Sequence, residues 1–211
     1  DAYGGAAIKT DGTLWVWGRQ AYGSLGLNEG SSSFGAYSRS SPTQIPGTTW
    51  DKLVHNMGIN AALKTDGTLW SWGYNGGALG QNNKTHYSSP VQVPGTWSHI
   101  SGKLWSWIAG VKTDGTLWTW GSNNYGNLGQ NNLIQYSSPV QIPGTTWSKT
   151  FSSSTHISAL KTDGTIWNWG YNNQGSLGQN DTVRYSSPVQ VPGTWDGFIN
   201  LGTRSTGAFK S

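Results

Sequence analysis

The chain has 211 residues, 14 of them Trp and 31 Gly, no Cys, and 10% charged side chains where about 25% is ordinary. That composition excludes a disulfide scaffold, a zinc finger and a thiol nucleophile, a membrane-spanning helix, since no long apolar run exists, and disorder, since 13% of the residues are aromatic. The net charge of +4 comes from dispersed lysines and arginines without a cluster, which does not favour a nucleic-acid partner.

Good helix formers are scarce, and Glu29 is the single glutamate. Trp, Thr, Val, Ile and Tyr favour strands, and Gly, Asn, Ser and Pro favour turns, so the expected class is all-β. The first element is a strand over residues 4–9. Asp11-Gly12 turns it into a second strand, because an Asp-Gly pair tolerates the positive φ of a tight hairpin. Residues 8–18 of this hairpin recur at 63–73, 111–121 and 160–170. The repeated lysines Lys9, Lys64, Lys112 and Lys161 lie 55, 48 and 49 residues apart, and Lys210 follows 49 later. The long first step reflects a Ser/Gly-rich loop insertion within 29–39.

The second copy shows the remaining elements. A strand over 61–64 turns at Asp66-Gly67 into 68–73, with Trp70 and Trp72 on one face and Leu69 and Ser71 on the other. A Gly/Asn loop leads to a short strand fenced by Pro90 and Pro94, and Gly95-Thr96-Trp97 turns into a strand over 98–101. Four strands in about 49 residues predict a propeller blade. The chain reads as one repeat array, with units at about 4–50, 51–97, 98–147 and 148–195 and a partial fifth at 196–211. Its two ends carry the same strand of the repeat, so an incomplete or open propeller is expected rather than a closed four-blade ring.

Three columns hold twelve of the Trp: Trp15/70/118/167, Trp17/72/120/169 and Trp50/97/147/195. Columns of small residues precede the repeated Lys, such as Ala62, Gly110 and Ala159. Small beside large predicts that these indoles build the core between thin blades.

The run from His156 to Gly178, containing Lys161-Thr162-Asp163-Gly164-Thr165-Ile166-Trp167-Asn168-Trp169-Gly170, resembles the repeat of the regulator of chromosome condensation. The match recurs four times and covers nearly the whole chain. The resemblance implies a β-propeller, commonly seven-bladed. Bacterial and viral chains carry such repeats. One relative inhibits β-lactamase through its loop face, and the eukaryotic founder is a nucleotide exchange factor that binds chromatin. The protruding element that exchange activity needs has no residue-by-residue match here.

No catalytic, cofactor-binding or metal-ligating set is legible. His55, His86, His99 and His156 fall at unrelated repeat positions. The repeated Asp11, Asp66, Asp114 and Asp163 read as turn residues, and the repeated lysines as solvated strand ends. Three loop positions vary between copies: Lys84, Thr85 and His86, then Leu133, Ile134 and Gln135, then Thr182, Val183 and Arg184. With Phe34 and Tyr37 of the insertion, and Trp105 and Trp107 outside the Trp columns, these are the candidate partner-binding residues, and Trp105 and Trp107 read equally as filling a local core gap. A fixed frame with variable loops points to a non-enzymatic scaffold that binds protein partners or its own copies. The alternatives are a structural or adhesive component of an extracellular fibre, surface layer or virion, and carbohydrate binding by the loop Asn, Gln and Tyr residues. An extracellular, cell-surface or virion location is the expectation. The sequons Asn83-Lys84-Thr85 and Asn180-Asp181-Thr182 matter only in a eukaryotic secretory setting.

Overall fold

The repeated hairpins set the architecture of the computed structural model, which describes residues 4–29, 37–56, 58–103, 107–200 and 206–209. In each hairpin the lysine N–H donates to the threonine carbonyl four residues on, as from Lys112 to Thr116 O at 2.9 Å, and the turn glycine donates back to the lysine carbonyl. Only the glycine adopts a positive φ, +82° at Gly67 and +78° at Gly115. The aspartate does something else. Asp114 Oδ1 accepts from Thr116 N at 3.0 Å and from Thr116 Oγ1 at 2.6 Å, and Thr116 Oγ1 accepts from Trp118 Nε1 at 2.8 Å. The same chain occurs at Asp11, Asp66 and Asp163. The threonine hydroxyl holds each carboxyl below its ordinary range, with the lysine charge adding to it. Thr116→Val removes one donor and one acceptor from this chain, and thermal melts should register a loss of about 1 kcal/mol. An unchanged melting curve would show that the chain contributes nothing.

Antiparallel pairing assembles the hairpins into five sheets. The first holds β1 (Gly4–Ile8), β2 (Leu14–Gly18) and β3 (Arg39–Ile45). The second holds β4 (Trp50–His55), β5 (Ile59–Lys64), β6 (Leu69–Gly73) and β7 (Tyr87–Val93). The third holds β8 (Trp97–Lys103), β9 (Trp107–Lys112), β10 (Leu117–Gly121) and β11 (Tyr136–Ile142). The fourth holds β12 (Trp147–Ser152), β13 (His156–Lys161), β14 (Ile166–Gly170) and β15 (Tyr185–Val191), and β16 (Gly197–Asn200) pairs with β17 (Thr206–Phe209). Each four-stranded sheet runs in chain order and none closes on itself. The opening strands pack on one another, β4 on β8 and β8 on β12, which places them innermost. The last strand is therefore the outer edge. β7 starts at Tyr87 and runs through Pro90, not fenced by it, because an edge strand tolerates a missing N–H.

The core lies between sheets. Trp72, Trp120 and Trp169 are fully buried, and each indole N–H reaches a carbonyl of the preceding unit: Ser24 O at 3.1 Å, Ala78 O at 2.9 Å and Asn127 O at 2.7 Å. The column Trp50, Trp97 and Trp147 is buried beside them, with Trp97 and Trp120 centred 5.6 Å apart. Gly110 pairs with Ile100, and a Cβ there would lie 2.8 Å from the Trp97 ring, which is why this column stays small. The third column, Trp70, Trp118 and Trp167, is half-buried. Its rings carry the repeated lysines, which are not plain solvated ends. Lys112 Nζ sits 3.9 Å from the Trp118 centroid and 5.3 Å from that of Trp97, and Lys64 and Lys161 bridge their own indole pairs. An ammonium over a ring face is attracted by its quadrupole.

Candidate functional site

The variable loops join the last two strands of each of the first four sheets, and a buried amide shapes each one. Asn123 Oδ1 accepts from Leu128 N at 2.9 Å, while its Nδ2 donates to Asn132 O and Ile134 O, both at 3.0 Å. Asn172 makes the same set to Leu177, Asp181 and Val183, and Asn75 to Leu79, Asn83 and Thr85. In the first unit Gln20 replaces Asn, and its Oε1 accepts from Leu25 N at 2.8 Å. Inside each loop a second residue folds back: Asn132 Oδ1 accepts from Ile134 N at 2.9 Å and Asp181 Oδ1 from Val183 N at 3.0 Å. Asn75, Asn123 and Asn172 are thus turned inward, and their amides do not face a sugar.

This frame sends the first two variable residues outward. Leu133, Ile134 and Val183 are 56%, 61% and 57% exposed, and Lys84, Thr85 and Thr182 are exposed with them. The third position also reaches across the junction between units, where His86 is half-buried while Gln135 and Arg184 stay exposed. His86 lies 5.0 Å from both Tyr22 and Tyr74, and its Nδ1 accepts from Asn75 N at 2.9 Å. Gln135 Nε2 donates to Gly76 O. The Arg184 guanidinium lies 5.3 Å from the Tyr125 centroid and 5.6 Å from that of Tyr171. Comparing copies position by position carries the signal for this contact, since His and Arg meet tyrosines where Gln meets glycine.

The remaining candidates separate cleanly. Tyr37 is exposed, while Phe34 and Trp105 lie outside the described residues. Trp107 is a correction: it is 5% exposed and packs with Ala109, Val111 and Trp169 in the core. Its repeat counterparts Ile59 and His156 are buried as well, so this column varies because the core accepts several shapes there. Burial pushes His156 down to about 4, and Ser153 Oγ lies 2.8 Å from its Nδ1. His99 is also pushed down to about 4, by burial first and then by Lys52 and Lys149. Among the described residues no three His, Cys, Asp or Glu converge as a metal site.

Among the described residues, concavities of two kinds are present. Lysine–tryptophan clefts of about 400 and 340 Å³ repeat between sheets, walled by Pro46 and Pro90 in one and Pro94 and Pro139 in the next. A polar pocket of about 300 Å³ opens on the loop face, lined by Tyr125, Thr155, Tyr171, Asn173, Gln174 and Ser176.

Known proteins share this architecture. Human WBSCR16 superposes with a TM-score of 0.76 at 22% identity, over 93% of this chain and 53% of that one. Yeast RCC1 (Prp20), crystallised bound to Kap60, gives 0.71 at 18% identity, over 90% of this chain and 47% of that one. Prp20p from Saccharomyces cerevisiae, described with its binding to Gsp1p and histones, gives 0.72 at 16% identity, over 90% and 48%. The chain spans about half the length of these structures. No curated protein sequence matches it. The regulator of chromosome condensation (RCC1) repeat model matches residues 11–55, 114–160 and 163–197, more than half of the sequence, and the chain belongs to that repeat family.

Proposed function

We propose that the chain is a non-enzymatic recognition scaffold that binds a protein partner through the loops joining the last two strands of its first four sheets. One observation carries this reading. Among the described residues the exposed large hydrophobic side chains are Tyr37, Tyr125, Leu133, Ile134 and Val183, and all five lie in this class of loop. Apolar groups gathered on one face, on loops pinned by buried amides, suit an interface whose side chains are held in place before contact. Relatives whose structures are described with Kap60, Gsp1p and histones support a protein partner.

A displayed random-peptide library selected on the whole chain tests it. Binders should lose at least about tenfold in affinity against the variant L133S/I134S/V183S, because burying such side chains contributes about 1.5–3 kcal/mol each. The variant should melt with the parent, since the three side chains are exposed. Binders that ignore the variant would place recognition elsewhere.

A further inference from the structure

The three junctions between successive loops are built alike but end differently. At the first, His86 closes on Tyr22 and Tyr74, with its ring nitrogen occupied by Asn75. At the second, the Gln135 amide is spent on Gly76 O. At the third, Tyr125 and Tyr171 stand 4.9 Å apart and carry a guanidinium that pairs with no carboxylate among the described residues. The two rings hold the guanidinium by cation–π attraction, which leaves its N–H donors for a hydrogen-bonding partner. The pocket of about 300 Å³ opens beside these rings. Asn131 N donates to Ser186 O at 2.8 Å, which sets the Leu133–Ile134 loop against the strand that follows Arg184. Among the described residues, a cation without a carboxylate partner, two tyrosine rings and an exposed apolar pair occur together at the third junction.

We infer that this junction is the anchoring subsite of the loop face, and that it takes an Asp or Glu carboxylate of a protein partner, with a neighbouring apolar residue of that partner resting on Leu133 and Ile134. A planar guanidinium matches a carboxylate with two parallel N–H donors. The net charge of +4 attracts an acidic partner at long range. The inference rests on the protein-binding reading above and specifies its chemistry.

Peptides selected from the displayed library are measured against the whole chain, each beside its counterpart with Asp and Glu changed to Asn and Gln. The amide counterparts should bind about tenfold more weakly or worse. R184Q should weaken the acidic peptides by the same factor and leave the amide counterparts unaffected. Binding of the acidic peptides should fall with added salt. Near-equal melting of R184Q and the parent shows that the loss is one of contact. Peptides that need Leu133 and Ile134 but bind equally in acidic and amide form would sink the carboxylate subsite and leave the loop face standing. Selected peptides indifferent to both the loop variant and R184Q, or a library that yields no binder, would sink both.

Discussion

Replacing Trp120 with Ala is expected to lower the stability of the chain by about 3–5 kcal/mol, the cost of emptying a buried aromatic site. Trp120 is fully buried, packs on Trp97 and donates its indole N–H to Ala78 O in the preceding unit. Gly80 adapts to it, since a Cβ there would lie 3.1 Å from Nε1. Deletion of the ring leaves a cavity between two sheets that cannot close without moving one against the other. It also leaves the Ala78 carbonyl without its donor. In a repeat array such an interface couples neighbouring units, so the variant should lose cooperativity as well as melting temperature. Trp120→Phe separates the two contributions. It keeps much of the ring volume and loses the donor, so a smaller loss, about 1–2 kcal/mol beyond the change in volume, is expected. Denaturant unfolding followed by tryptophan fluorescence measures both. A loss below about 1 kcal/mol for Trp120→Ala would mean that the sheets do not depend on this column.

The positions of these indoles could be read from the amino-acid order because the repeat prints the same packing problem four times. Ala62, Gly110 and Ala159 stay small where they pair with Trp70, Trp118 and Trp167 across the hairpin. Such a pattern reports contact directly, while the spacing of the repeated lysines carries the blade period and the turn residues carry the strand count. What was not legible depends on contacts between units. That Trp120 donates to Ala78, or that Lys112 lies over two rings, requires the relative placement of two sheets, which no spacing within one unit records. Pro90 illustrates a local limit. It reads as a strand boundary until the strand is known to be an edge. The loop face was half legible. Variation marked the right segments, but variation looks the same whether a side chain faces solvent, as Leu133 does, or is spent on a neighbouring loop, as Gln135 is. Trp107 shows the converse, a variable position that the core absorbs.

Stability should fall between pH 6.5 and pH 4, and His156 supplies much of the fall. Its imidazole is fully buried and is pushed down to about 4, whereas an unfolded chain takes up that proton near 6.5. Above pH 6.5 the ring is neutral in both states and the fold bears no penalty. As pH falls below 6.5 the unfolded chain gains a proton that the folded one refuses, so the unfolded state is favoured until about pH 4, where the folded ring also protonates. The slope is about 1.4 kcal/mol per pH unit for one such group, and the loss across the window is on the order of 3 kcal/mol. His99 adds a loss of the same sign, reduced because it is only half-buried. The turn aspartates do not contribute here. Their carboxyls are held low, so what they lend is lost only below the ordinary carboxylate range. His156→Ile isolates the main group, because Ile59 already occupies the same repeat position in the second unit. Ser153 Oγ keeps its bond to the carbonyl of residue 156 and accepts from the same residue's N–H at 3.0 Å, so the substitution does not strand the Ser153 hydroxyl. Urea unfolding at pH 7.5 and 4.5 should therefore show a difference about half as large in His156→Ile as in the parent chain. Equal differences would assign the acid sensitivity to other groups.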